Sequence, residues 1–300
     1  MMNFILYKFG QFLAMILPFR LAYRLAIIAS DIHYLFADVD RANVTANLKA
    51  IFPEKSDGEI ARLRLSMSRN FTKYLADFFK FGQMDKTFIE KYVTFKNARY
   101  IDEALAGKRG VVILTAHTGN WELGGVVLAH YGYDLWVVAL EHQSKLVNAF
   151  FDGQRKGKGV HVIPFNRAVR QSIRILAENR LLALLGDRDF TREGGIVVPF
   201  FGKPTSIPKG PAALALRTGA PIVPGFLIRN PDDTFTLVME PPIDPYPGQE
   251  KPPVRNGRFS AISEKELREL TLRCTTVIER YVKQYPDQWY MYRKFWVEDK

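Results

Sequence analysis

The sequence predicts an α/β fold, with a central mixed, largely parallel sheet flanked by helices and preceded by an N-terminal helical segment. Three observations carry this. Beyond residue 92, short apolar runs alternate with amphipathic stretches, the pattern of strand–helix units that build a mostly parallel sheet. Before that point, apolar residues recur at helical spacing, and the first 37 residues are strongly apolar but broken by a proline. The chain has 300 residues, 47% hydrophobic and 24% charged, which is globular composition with room for one large domain and a helical extension.

Residues 4–37 carry only Lys8, Arg20 and Arg24 as charges before Asp31. A bilayer-spanning helix needs about 20 largely apolar residues. Here the longest uncharged stretch is residues 9–19, and Pro18 interrupts it. A proline opens a second helix more naturally than it sits inside one, and no small-residue cleavage site follows the apolar run. The expectation is a membrane-associating pair of helices in or against the interface, with Arg and Lys reaching headgroups. A short tilted span and a helix pair in a soluble core are the alternatives. Residues 1–37 are therefore set apart from an α/β domain over 38–300.

Ser56-Asp57-Gly58-Glu59 is a capping box opening a helix to about residue 81, with Leu63, Met67, Phe71, Tyr74 and Phe78 on one face. Strands are expected at 110–115, 135–140, 160–164, 181–185, 222–227 and 235–239. Helices are expected near 119–131, 144–157, 167–178 and 208–218, and a last one over about 263–285, stopped by Pro286. Residues 241–258, rich in Pro and Gly, form an exposed loop.

Lys and Arg number 42 against 31 Asp and Glu, a net charge of +11. Such an excess attracts nucleic acid, anionic headgroups or acidic proteins. No RNP-like, zinc-finger or helix-turn-helix signature is present, so no nucleic-acid partner is expected. The single cysteine, Cys274, excludes an internal disulfide and a cysteine-based zinc site, and reads as a buried structural thiol. His33, His130, His142 and His161 show no metal-ligand spacing, so no metal is expected; the expectation for cofactors is likewise none.

The chemistry centres on His117-Thr118-Gly119-Asn120-Trp121-Glu122. Residues 110–116 form a buried strand, and His117 follows at the carboxyl end, where α/β sheets bind ligands. Gly119 and Asn120 turn the chain into a helix that contains Glu122. On one continuous helix, five residues would separate His117 and Glu122 by about 140°; with His117 on the preceding turn they converge. A carboxylate bonded to one imidazole nitrogen fixes the tautomer and makes the other nitrogen the base. Helix N-terminal amides nearby would meet the oxygen of a tetrahedral intermediate. Alone, the His-x4-Glu pattern also fits a histidine ending a strand and a glutamate on a solvated face. No Gly-x-Ser-x-Gly elbow is present, so a covalent acyl-enzyme is not indicated.

Residues 114–123, Leu-Thr-Ala-His-Thr-Gly-Asn-Trp-Glu-Leu, resemble the His-x4-acid block of the bacterial lipid A biosynthesis acyltransferases, a superfamily that includes the phosphatidylinositol mannoside acyltransferases. Further blocks follow in order: Gly186-Asp187-Arg188-Asp189-Phe190, residues 198–204, residues 207–213, and Tyr285-Pro286-Asp287-Gln288-Trp289 followed by Arg293 and Phe295. Residues 41–53, with Asn43, Asn47, Leu48 and Phe52, match the usual N-terminal stretch.

The resemblance implies a glycerolipid-acyltransferase-like catalytic domain over 38–300 and a location at the cytoplasmic face of the inner membrane. The donor would be an acyl thioester, acyl-acyl carrier protein before acyl-CoA, and the acceptor a glycolipid hydroxyl at the membrane surface. A lipid A precursor is the first expectation for that acceptor, and a phosphatidylinositol mannoside or another glycolipid the alternative. His117 would be the general base and Glu122 its charge partner. Asp187, Arg188 and Asp189 would lie beside them, Arg188 suited to a phosphate or a polarised carbonyl and either aspartate to orienting the acceptor. Lys209 and Gly210 open a helix whose amides would face an anionic headgroup. An ion-pair network and an architectural turn are the plain alternatives for these two groups. Arg293 and Lys294 fit the site mouth or a solvated face. A thioester hydrolase, or a non-enzymatic lipid-binding protein, would use the same features differently.

Overall fold

The computed structural model describes residues 2–140, 144–189, 195–248 and 262–296. Helices α1 (Met2–Ile16) and α2 (Phe19–Phe36) are separated at Pro18. Among the described residues, no helix is long and apolar enough to cross a membrane. Along α2, Leu21, Leu25, Ile28, Ile32 and Leu35 are exposed at spacings of three and four, so they share one face. The opposite face buries Tyr23 and Ser30 against α4.

Helix α3 (Asp38–Ile51) lies where the pattern predicts no element, because its Asp, Asn, Val and Thr residues favour helix weakly. Helix α4 (Asp57–Phe79) starts at the expected capping box. The Ser56 amide donates to Glu59 Oε2 at 2.9 Å and the Glu59 amide to Ser56 Oγ at 3.4 Å.

The remaining elements run α5 (Lys86–Tyr92), β1 (Val93–Lys96), α6 (Arg99–Ala106), β2 (Val111–Thr115), α7 (Trp121–His130), β3 (Leu135–Ala139), α8 (Lys145–Lys156), β4 (His161–Pro164), α9 (Ala168–Ala177), β5 (Leu181–Leu185), β6 (Gly195–Phe200), β7 (Lys203–Pro208), α10 (Gly210–Thr218), β8 (Ile222–Arg229), β9 (Phe235–Met239) and α11 (Glu264–Gln284). The seven-stranded sheet has the order β1-β9-β8-β2-β5-β3-β4. Its neighbours are parallel except β8 and β9, so the predicted largely parallel sheet is present. Strands β6 and β7 form a separate antiparallel hairpin. Pro199, Pro204 and Pro208 hide it in the sequence, because proline breaks the signature of a strand. The expected loop at 241–258 is described only to residue 248.

Strand β2 shows why the central runs are continuously apolar. Val112 and Leu114 pack with α9, α10 and α11, while Val111 and Ile113 pack with α6 and α7 on the other face. Parallel pairing also sets the site. Thr115 is in register with Leu185, and the Gly186 amide extends the pairing to the Thr115 carbonyl at 2.8 Å. The residues two beyond each strand, His117 and Asp187, therefore emerge side by side at the sheet's carboxyl edge.

Candidate active site

His117 Nδ1 lies 2.7 Å from Asp187 Oδ1. The His117 amide and the Trp289 indole N–H each donate to Asp187 Oδ2 at 3.1 Å. One fully buried carboxylate thus orients the imidazole, fixes the backbone that carries it and ties down the C-terminal segment. Burial pushes the Asp187 carboxyl up, but the charge and hydrogen bond of His117, with Arg188 and Trp289, outweigh it and hold it at about 2. Burial also disfavours the imidazolium, so His117 titrates below its ordinary 6.5 although Asp187 pulls it upward. The pair rests as neutral imidazole and carboxylate. With Nδ1–H donated to Asp187, Nε2 is the basic nitrogen.

The turn after His117 is clamped on several sides. Gly119 has φ of +63°, and a Cβ there would sit 2.0 Å from the Leu227 carbonyl oxygen, so only glycine fits. The Gly119 amide donates to the Gln288 carbonyl at 2.9 Å, the Asn120 amide to the Leu227 carbonyl at 2.9 Å, and the Tyr290 amide to the His117 carbonyl at 3.0 Å. Asn120 Oδ1 caps α7 by accepting from the Leu123 amide at 3.0 Å. Its Nδ2 donates to Asp77 Oδ2 at 2.8 Å. Asp77 also pairs with the buried Arg229 guanidinium, whose backbone is gripped by Gln288 at 3.0 and 2.9 Å. The expectation is that helix N-terminal amides nearby meet the oxygen of a tetrahedral intermediate; in this turn the amides of Gly119, Asn120 and Leu123 are already engaged.

Glu122 does not make the hydrogen bond expected of it. Its carboxylate is held at two points by Arg155 of α8, at 2.9 and 2.6 Å, and it acts on His117 only through its charge. The carboxylate bonded to the imidazole is Asp187. The reason is the strand register: His117 belongs to the end of β2, whereas Glu122 points from the first turn of α7 toward α8. Between them Trp121 meets the His117 ring edge-on at 5.1 Å, and Tyr74 of α4 stacks on Trp121 at 4.4 Å.

Of the other expected site residues, Arg188 is beside the pair: it donates to the Tyr290 carbonyl, and its Nε lies 4.0 Å from Asp187 Oδ2 with no hydrogen-bond acceptor. Asp189 faces β7, accepting from Ser206 Oγ at 3.2 Å. Arg293 is exposed and reaches the Asp189 carbonyl at 3.5 Å. Lys209 and Gly210 are exposed where α10 begins, and no described hydrogen bond or ion pair joins them to His117 or Asp187. Phe190 lies outside the described residues. Asp77, Arg155 and Arg229 had no assigned role, because nothing local marks a residue whose partner is remote. Trp289 stood out only as part of a C-terminal block. Asn47 explains another block: its side chain bonds the Met291 and Arg293 carbonyls and the Phe295 amide.

The chain matches the sequence profile of the bacterial lipid A biosynthesis acyltransferases over residues 2–298. It is similar to a phosphatidylinositol mannoside acyltransferase of Mycolicibacterium smegmatis, 28% identical over 245 residues that cover 79% of this chain and 73% of the relative. A phosphatidylinositol mannoside acyltransferase of Mycobacterium tuberculosis (strain H37Rv) is 36% identical over 129 residues, 42% of this chain and 40% of the relative. By its match over nearly the whole length, the chain belongs to the bacterial lipid A biosynthesis acyltransferase family.

Proposed function

We propose that this acyltransferase moves a fatty acyl chain from a thioester, carried by acyl carrier protein or CoA, to a hydroxyl of a phosphatidylinositol mannoside or closely related glycolipid. The observation that carries the chemistry is the 2.7 Å contact between His117 Nδ1 and Asp187 Oδ1 at the carboxyl edge of the sheet. The names of both relatives support the acceptor class over a lipid A precursor. The exposed apolar face of α2, with Arg20 and Arg24 beside it, supports work at an anionic membrane surface, and we place it at the cytoplasmic face of the inner membrane.

In this reading His117 Nε2 takes the proton of the acceptor hydroxyl as its oxygen attacks the thioester carbonyl. Asp187 stabilises the imidazolium that forms. The tetrahedral adduct collapses, the carbon–sulfur bond breaks, and the imidazolium returns its proton to the departing sulfur. The products are an ester and a free thiol, and no acyl group rests on the protein. Glu122, locked by Arg155, holds a second negative charge near the ring. Arg188 and Asp189 border the acceptor's path.

The test is purified protein with acyl-CoA or acyl-acyl carrier protein and, separately, phosphatidylinositol mannosides and a lipid A precursor, with products read by mass spectrometry. An acylated inositol glycolipid is expected, together with a loss of about 10²–10⁴-fold in His117→Ala that leaves vesicle binding intact. Acylation of the lipid A precursor alone would overturn the acceptor. Thioester hydrolysis indifferent to every acceptor, or full activity in His117→Ala, would overturn the reaction.

A further inference from the structure

We propose that Tyr23 makes catalysis depend on the seating of helix α2, because its hydroxyl joins that helix through Asp77 to Asn120 in the catalytic turn. The kinetic readout rests on the acyl-transfer reading above; the coupling itself does not.

Helix α2 has two faces with different chemistry. Outward lies the apolar stripe from Leu21 to Leu35, and inward lie Tyr23, 6% exposed, and Ser30, 1% exposed. Several inward contacts to α4 are polar. Ser30 and Ser68 share a hydrogen bond of 2.8 Å, and Arg69 holds Asp31 at 2.8 and 2.7 Å. The buried Lys80, at the end of α4, donates to the Ala14 and Leu17 carbonyls where α1 gives way to α2. Helix α2 is thus fastened by directional bonds, which fix its position more sharply than apolar packing does.

Tyr23 stands out among these contacts because its bond continues inward. Its hydroxyl donates to Asp77 Oδ1 at 2.5 Å. The other oxygen of the same carboxylate receives Asn120 Nδ2 at 2.8 Å and the Arg229 guanidinium. Asn120 caps α7 and follows Gly119, three residues from His117. A displacement of α2 therefore moves the carboxylate that holds the catalytic turn. Asp77 is fully buried, so no water replaces a lost donor, and a charge-assisted bond removed here is expensive. A phenylalanine would fill the same volume without reaching Asp77. Tyr23 is a positioning residue in this scheme, since it touches neither reacting group.

The experiment uses the full chain, with Tyr23→Phe and, as control, Tyr34→Phe. Tyr34 lies on the same helix and accepts from Arg64 Nε at 2.6 Å, but its bond leads away from Asn120. On vesicles of mixed phosphatidylglycerol and phosphatidylcholine, Tyr23→Phe should lose about tenfold or more in kcat, the effect of one lost bond to a charged group. KM for both substrates should stay within about twofold, with vesicle binding unchanged and Tyr34→Phe keeping wild-type kcat. Amide exchange of residues 119–123 should be faster in Tyr23→Phe, and in the wild type should slow when vesicles are added. Unchanged kcat, or an equal loss in both variants, would overturn the proposal. Should the wild type acylate no glycolipid, the functional reading fails and exchange alone decides the coupling. Should Tyr23→Phe not fold, the wild-type comparison with and without vesicles decides it. Exchange at 119–123 indifferent to vesicles, and indifferent to the variant where it folds, counts against the link.

Discussion

The proposed reaction places opposing demands on His117: it must stay neutral in a buried site and still take a proton. Burial meets the first by lowering its affinity for protons, and Asp187 meets the second by raising it; burial has the larger effect. In the proposed reaction the neutral imidazole is the active form, so activity should be lost only as pH falls through the lowered value. The acid limb of kcat/KM against pH should therefore lie below 6.5, the ordinary histidine value. In Asp187→Asn the upward pull disappears, so the limb should move lower still while the maximum rate falls by about 10²-fold or more. An acid limb at or above 6.5 in the wild type would show that another group controls the reaction. Glu122 differs in kind: its carboxylate is fixed by Arg155 and it bears on His117 through charge alone.

Between β2 and α7, residues 117–120 are held by neighbours that come from far along the chain: Asp187 just after β5, β8, α4 and the segment 288–290. Gly119 allows this, since its positive φ lets the chain pass against the Leu227 carbonyl. Gly119→Ala should lower kcat by about 100-fold, because a shift of about 1 Å in a reacting group costs that much. A variant that keeps wild-type turnover would show that the turn tolerates rearrangement; steady-state kinetics beside a melting curve separates this from general unfolding. The same dense bonding explains the C-terminal signature. Gln288 closes on Arg229, Trp289 on Asp187 and Tyr290 on the His117 carbonyl, so the segment completes the site that β2 begins.

At the scale of the molecule, the proposed membrane attachment draws on two features together, the net charge of +11 and the apolar stripe of α2. Apolar insertion supplies affinity for a bilayer, and positive charge supplies preference for anionic lipid that fades with salt. The triple variant Leu25→Asp, Ile28→Asp, Ile32→Asp should lose vesicle affinity by about tenfold per residue, on the scale of apolar burial. Co-flotation with anionic vesicles measures this, and undiminished flotation would assign the membrane contact elsewhere. Among the described residues, no helix is long and apolar enough to span the bilayer.

What the sequence determined by itself was local. The strand–helix alternation, the break at Pro18, the capping box at Ser56 and the place of His117 at a strand end were all legible, because each depends on the periodicity or chemistry of neighbouring residues. The β6–β7 hairpin was not legible, since its prolines mask the strand pattern. Nor was the partner of His117. Spacing and the family resemblance made Glu122 its charge partner and set Asp187 beside the two, and only the tertiary structure placed Asp187 against the ring. Parallel pairing of β2 with β5 joins residues seventy positions apart, and that register is set by packing both faces of the sheet, which no short window of sequence contains.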